Sequence, residues 1–191
     1  MRKSFIALSA VLSTTLLLTG CATSEPNAGQ PSGESMVTDE STAFSPNDIM
    51  FAQMMIPHHQ QALDMSELAL ALAESTEVKE LAAQIRDEQG PEISQMRAWL
   101  SAAGAPEEMG HSSHGMDGML TEEQMATLLS SSGADFEKLF LEGMISHHVG
   151  AIAMAQMVID SANPEVRSLA EAIAASQQVQ IDFMETLLAR L

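Results

Sequence analysis

The sequence predicts an all-α protein, a four-helix bundle made of two duplicated helical hairpins that are joined by a long crossover. Apolar residues recur at helical spacing through four long segments. Two of these segments repeat the other two at a nearly constant distance along the chain. Runs of β-branched and aromatic residues, which favour strands, are almost absent.

The first 20 residues have the composition of a lipoprotein signal peptide. Arg2 and Lys3 precede an apolar run at 5–18 that is too short to span a bilayer, and a Leu-Thr-Gly-Cys box ends at Cys21. Cleavage before Cys21 would leave the chain's only cysteine at the new N-terminus, where a lipid could anchor the protein to a membrane. The alternative is an ordinary signal peptide with an incidental cysteine. In both cases we expect the mature protein to work outside the cytoplasm.

The charge balance is strongly acidic. The chain carries 26 acidic and 8 basic residues, a formal net charge of −18, and loss of Arg2 and Lys3 with the signal peptide would make it −20. This balance argues against nucleic acid as a partner, because phosphate binding requires a basic surface. It attracts cations over long distances without selecting a metal.

The rest of the chain divides by composition into a tether and one domain. Residues 21–45 are mainly serine, glycine, proline, glutamate and threonine, so we expect a flexible tether without a core. Residues 46–191 are enough for one domain with a sizeable core. Within this domain we expect a first hairpin at 46–103, a crossover at 104–133 and a second hairpin at 134–191.

The first hairpin starts at a helix-start sequence around Ser45, and its apolar period continues to about Glu74. Pro57 lies inside this helix and removes one backbone hydrogen bond, which predicts a bend just before the histidines of that helix. The second helix opens at Ser75 and continues to about Ala103 across an internal Gly-Pro pair.

The second hairpin ends with a helix that Asn163 caps and Pro164 begins, a favoured arrangement. Between the hairpins, a capping box that starts at Thr121 predicts a short helix ending near Ser130. Two hairpins joined by one long connection indicate a ferritin-like four-helix bundle, since an up-and-down bundle needs only short loops.

The strongest functional signal is a pair of Met-Ile-x-His-His motifs at 55–59 and 144–148, which hold four of the six histidines. Their surroundings match at a constant offset of 89, a repetition that indicates internal duplication. The matched residues are Phe51, Met55, His58, His59, Ala62 and Met65 in the first copy, and Phe140, Met144, His147, His148, Ala151 and Met154 in the second.

The motif has the chemistry of a soft-metal site. In each copy the methionine lies three and four residues before the two histidines, a spacing at which helix side chains are neighbours. Thioether and imidazole ligands together suit copper, and methionine favours Cu(I). Met65 lies seven residues beyond His58, about 10 Å along the axis, so Met65 and Met154 are weaker candidates. The primary candidate ligands are Met55, His58, His59, Met144, His147 and His148.

Other interpretations of these residues stay open. The histidines could be hydrogen-bonded polar groups of a bundle core or part of an exposed helix face. Other methionines are explained as core filling, because methionine packs irregular gaps well; they are Met54, Met96, Met125, Met157 and Met184. The crossover contains a short His-rich tract whose glycines predict mobility, and which either captures metal or is a plain linker; its candidate ligands are His111, His114 and Met116. The Glu-x-x-His motif of di-iron bundles is absent.

The doubled motif resembles a known bacterial family. Phe-x-x-x-Met-x-x-His-His-x-x-Ala-x-x-Met occurs twice, with Gln-x-x-Glu-Ile-x-x-Met-x-x-Trp-Leu at 89–100 after the first copy and Gly-Met at 118–119 before the short helix. Over residues 46–190 this pattern is similar to the secreted family called domain of unknown function 305. The resemblance implies a ferritin-like bundle, mostly unassigned activity, and copper binding or copper tolerance in some members. It also implies that the six primary candidates are ligands.

We therefore expect an extracytoplasmic, lipid-anchored protein that sequesters or hands on Cu(I), with an unidentified protein as metal donor or acceptor and possible homo-oligomers. No catalytic residues are predicted. One alternative is a metal-dependent oxidase acting on Cu(I) or Fe(II), which would need open coordination positions. Another is an interaction module without metal, in which the motif only packs the two hairpins together.

Overall fold

The computed structural model describes residues 43–108 and 116–191, and within these ranges it contains helices and connections but no strand. The predicted signal peptide, Cys21, His111 and His114 lie outside the described residues. The five helices are α1 (Pro46–Leu72), α2 (Thr76–Ala103), α3 (Glu122–Ser130), α4 (Gly133–Gln156) and α5 (Pro164–Leu188).

The four long helices form the predicted four-helix bundle. α1 packs against α2, α4 packs against α5, and the two hairpins meet mainly along α1 and α4. The short helix α3 belongs to the crossover and touches α4. Both α1 and α2 continue through their internal residues Pro57 and Pro91. No helix in the described ranges combines the length and the apolar character needed to cross a membrane.

Side-chain caps fix where the helices begin. The Ser45 hydroxyl accepts a hydrogen bond from the Asp48 N–H at 3.2 Å, and the Asp48 carboxylate accepts one from the Ser45 N–H at 2.7 Å. This reciprocal capping box satisfies two of the N–H groups that a helix start leaves free. Asp48 also accepts a 2.7 Å bond from the Ser161 hydroxyl, which ties the start of α1 to the segment between α4 and α5.

The turn between α1 and α2 is held by a carboxylate from the other hairpin. Glu137 of α4 is only 5% exposed, and its Oε1 accepts hydrogen bonds from the main-chain N–H groups of Glu74 at 2.8 Å and Ser75 at 2.6 Å. The backbone of this turn is therefore satisfied by a tertiary contact.

Buried apolar side chains form two clusters. The first cluster joins the N-terminal half of α1 to the C-terminal half of α4, with Phe51 and Ala155 among its members. The second cluster joins the C-terminal half of α1 to the N-terminal half of α4, from Ala62 to Phe136. Helices α1 and α4 therefore run antiparallel, and the histidine motifs lie where the two clusters meet.

The end of the crossover packs directly on α4. A Cβ atom added to Gly118 would collide with the carbonyl oxygen of Ser146, and one added to Gly150 would collide with the carbonyl oxygen of Asp117. Gly118 also has φ 86°, a left-handed conformation that favours glycine. These two glycines let main chain lie against main chain beside the histidines. We call residues 116–121 the crossover strap.

Candidate metal centre

All four motif histidines are fully buried. His58 and His59 on α1 and His147 and His148 on α4 each have 0% exposed surface. Such complete burial is unusual for histidine. Ala62 and Ala151, one turn beyond each pair, are also at 0% and are small enough for α1 and α4 to approach closely.

The two motifs meet through His58 and His147. Their ring centroids lie 3.7 Å apart with an interplanar angle of 40°. His148 lies further away, with its ring centroid 6.4 Å from that of His147. The duplicated stretches are thus brought together across the interface between the hairpins.

The outer histidine of each pair is hydrogen-bonded to its own hairpin. His59 Nε2 lies 2.7 Å from Glu92 Oε2 on α2. His148 Nε2 lies 2.7 Å from Gln180 Oε1 on α5. Glu92 and Gln180 occupy corresponding positions of the two hairpins, 88 residues apart, so the same contact is made once by an acid and once by an amide.

The crossover strap covers the inner histidine of α1. His58 Nε2 lies 3.3 Å from the main-chain oxygen of Asp117. The side chain of Gln61, one turn further along α1, accepts a 2.7 Å bond from the Leu120 N–H and donates a 2.9 Å bond to the Leu120 carbonyl. The strap is therefore fixed to α1 at the level of the histidines.

Several ring nitrogens have no hydrogen-bond partner. The Nδ1 atoms of His58, His59, His147 and His148 are buried and unpartnered, and so is Nε2 of His147. Buried polar atoms are normally satisfied, so such exceptions call for an explanation. Unpartnered imidazole nitrogens are the atoms that would bind a metal ion.

Burial keeps the imidazoles of His58, His147 and His148 neutral. Loss of hydration lowers the pKa of His58 to about 3, with the neighbouring His59 adding to the effect. The same loss lowers the pKa of His148 to about 4, against a raising effect from the Gln180 hydrogen bond. Burial, then the charges that His58 and His148 would carry, lower the pKa of His147 well below its usual value, although the main chain of His58 opposes this. A neutral ring retains one lone pair for a metal.

The methionines are divided between the two apolar clusters. Met55 and Met144 are both at 0% exposure, but Met55 belongs to the first cluster and Met144 to the second. Because α1 and α4 are antiparallel, Met154 joins Met55, and Met65 joins Met144. The weaker candidates of one motif thus share a cluster with the primary methionine of the other, a relationship that spacing along one helix could not reveal.

Two further methionines join these groups. Met96 of α2 lies in the first cluster and Met184 of α5 in the second, both at 0% exposure. Sequence reasoning assigned them to core filling. Their repetition at an offset of 88 is the sequence signal that relates these two methionines to each other. Met116, at the start of the crossover strap, is partly buried against the first cluster.

The donor set suits copper, but the side chains do not yet converge on a point. Within the described residues, no group of three or more His, Cys, Asp or Glu side chains is arranged to hold a metal ion. Two imidazoles that bind one ion at about 2.0–2.1 Å place their ring centroids about 5 Å apart. The 3.7 Å between His58 and His147 is shorter. Sharing an ion would therefore require these two rings to separate.

Comparison with known proteins places the chain in a family. The family DUF305, a domain of unknown function, matches residues 48–188. This chain is a DUF305 protein. No curated protein matches it.

Solved structures share the bundle. A DUF305 protein from Streptomyces coelicolor is 31% identical with a TM-score of 0.72, over 75% of this chain and 93% of that one. A DUF305 fragment from Deinococcus radiodurans is 36% identical with a TM-score of 0.72, over 78% of this chain and 99% of that one. CopM in its Cu(I)-bound form is 31% identical with a TM-score of 0.64, over 75% of this chain and 96% of that one.

Proposed function

We propose that this DUF305 protein binds copper, as Cu(I), through its buried histidine and methionine side chains, and that it sequesters the ion or passes it to another protein. The observation that carries the proposal is the set of four buried histidines whose Nδ1 atoms have no partner. Imidazole nitrogen and thioether sulfur form a ligand set that suits Cu(I).

The structural relatives support this assignment. CopM, which is similar over most of this chain, is known in Cu(I)-bound, Cu(II)-bound and Ag-bound forms. Silver resembles Cu(I) in its preference for soft ligands. The candidate ligands of this chain lie in the part that is common to the family.

The division of the methionines favours two half-sites. One half-site would take Met55 with His58 or His59, and the other would take Met144 with His147 or His148, as residues one turn apart. Met154 and Met65 would complete them from the opposite helix, because they share the same apolar clusters. Contact between His58 and His147 links the two half-sites.

The proposed place of action is the outside of the cell membrane. The Streptomyces coelicolor relative is named as an inferred secreted protein. In this chain the N-terminal sequence predicts export and lipidation at Cys21. A lipid at that residue would hold the bundle at a membrane surface through the tether.

Competition titration with a chromophoric Cu(I) chelator tests the proposal. We expect the chain without its signal peptide to take Cu(I) from the chelator, and the variant His58→Gln/His59→Gln/His147→Gln/His148→Gln to lose this capacity. Phe136→Leu is a matched control, since Phe136 is fully buried in the second cluster and is not a ligand candidate. Equal Cu(I) affinity in the histidine variant and the parent would refute the proposed site.

A further inference from the structure

The two outer histidines make the same contact through different chemistry. His59 Nε2 faces the Glu92 carboxylate, whereas His148 Nε2 faces the Gln180 amide. We propose that three positioning residues hold the ring hydrogen of the outer histidines on Nε2. Glu92 does so for His59, and Gln180, oriented by Glu88, does so for His148. Both Nδ1 lone pairs are then directed into the core. The inference deepens the proposed function and rests on it for its consequence in metal binding.

For His59, the hydrogen-bond partner determines which ring nitrogen carries the hydrogen. An ionised carboxylate has no hydrogen to donate, so the 2.7 Å contact from Glu92 Oε2 requires a hydrogen on His59 Nε2. In a neutral imidazole the other nitrogen is then the acceptor. When the ring is neutral, His59 Nδ1, which is buried and unpartnered, carries the lone pair.

For His148 a second residue is needed, because an amide can present either its oxygen or its nitrogen. The Gln180 nitrogen donates to Glu88 Oε2 at 2.8 Å, and that carboxylate can only accept. This contact turns Gln180 Oε1 toward His148, so the hydrogen again lies on the histidine Nε2. Glu88 of α2 thus sets the orientation of a side chain on α5, across the bundle.

The two hydrogen-bond partners should make the half-sites unequal. A carboxylate that accepts from a metal-binding histidine increases the basicity of the ring, as second-shell partners commonly do. Glu92 places a full negative charge directly beside His59. The charge of Glu88, by contrast, reaches His148 only through the neutral Gln180. We expect the half-site that contains His59 to bind the first Cu(I).

Nitrogen-15 NMR of the metal-free protein at neutral pH tests the tautomers without reference to copper. We expect Nε2–H on both His59 and His148. Glu92→Leu should remove this preference at His59 alone, and Glu88→Leu should remove it at His148 alone. Glu92→Gln is the isosteric comparison; its amide can present oxygen or nitrogen with no second residue to fix it, so it should keep Nε2–H at His59 less completely than Glu92 does. Nδ1–H tautomers in the parent protein would overturn the assignment.

Cu(I) affinity tests the consequence. Glu92→Leu should weaken the first binding step by about 10- to 100-fold, the range found for loss of a second-shell partner, and Glu92→Gln should lose less. The exchange Glu88→Gln/Gln180→Glu restores the hydrogen bond between the two helices while placing the carboxylate beside His148. We expect it to strengthen the second step, whereas Gln180→Glu alone sets two carboxylates against each other.

Unchanged binding in both Glu92→Leu and the exchange variant would overturn the positioning role. If the variant with all four histidines replaced binds Cu(I) like the parent, the proposed function fails instead. The tautomer measurement distinguishes the two failures, because the hydrogen-bond assignment does not depend on copper.

Discussion

His58 and His147, which are 89 residues apart in sequence, hold their imidazole rings 3.7 Å apart in the centre of the bundle. Neither is exposed to solvent; burial lowers the pKa of His147, and the neighbouring His58 lowers it further. A charge on one ring would therefore be both desolvated and repelled. This contact makes the core of the protein a place where histidines remain neutral and available as ligands.

The bundle should lose stability in mild acid. In the unfolded chain, histidines bind protons below about pH 6.5, whereas the folded pKa is about 3 for His58 and about 4 for His148. As the pH falls below about 6.5, the unfolded state binds more protons and the free energy of unfolding decreases. Each such histidine contributes a slope of up to about 1.4 kcal/mol per pH unit.

Urea unfolding at a series of pH values, followed by the fluorescence of the single tryptophan Trp99, measures this slope. His147→Gln should make the free energy of unfolding less dependent on pH, since it removes one histidine whose pKa is lowered in the folded protein. A free energy of unfolding that stays constant between about pH 6.5 and about pH 5 would contradict the prediction.

Thioether sulfur should contribute to affinity without contributing to stability. Leucine matches methionine in volume, so Met55→Leu and Met144→Leu should change the free energy of unfolding by less than about 1.5 kcal/mol. Both should weaken Cu(I) binding in a chelator competition, because a ligand atom is lost. Met65→Leu and Met154→Leu are the matched comparison, and a larger effect from these two would reverse the ranking that sequence spacing predicts.

Alanine substitutions at two glycines of α4 should destabilise the protein to different extents. Gly150→Ala places a Cβ atom against the Asp117 carbonyl, so the crossover strap must move away from His58, at a cost of about 1–3 kcal/mol. In Gly143→Ala the new atom meets flexible side-chain ends, Leu120 Cδ2 at 3.1 Å and Met65 Cε at 3.3 Å. Alanine also has a higher helix propensity than glycine, and this gain in stability should offset much of the steric cost at position 143.

Thermal unfolding and hydrogen exchange of the Leu120 N–H would compare these glycine variants. Faster exchange in Gly150→Ala than in Gly143→Ala is the expected result. Equal exchange in the two would mean that the strap does not depend on close approach at Gly150.

Removal of the Glu137 carboxylate should destabilise the α1–α2 turn. Glu137→Ala leaves the partly buried N–H groups of Glu74 and Ser75 without their acceptor, at a cost of about 1 kcal/mol for each hydrogen bond. Glu137→Gln retains an acceptor oxygen and should lose less. Chemical denaturation of both variants checks the difference, and a Glu137→Ala protein as stable as the parent would show that water replaces the carboxylate.

Local signals determined much of the fold. The reciprocal cap at Ser45, the capping box at Thr121 and the Asn163 cap each begin the helix that the sequence predicts there. Helical periodicity also outweighed the Gly-Pro pair inside α2, since the apolar face resumes after Pro91. Such signals are readable because caps and faces depend on residues within a few positions of one another.

The sequence by itself determined the four long helices and placed one histidine pair on each of two of them, but it left open whether the histidines are buried. Only the tertiary structure decided their partners. The hydrogen bonds from His148 through Gln180 to Glu88 and from His58 to Asp117, and the sharing of clusters between Met55 and Met154, all join separate segments. Helical spacing orders residues along one helix, but contacts between helices depend on how antiparallel helices pack against each other.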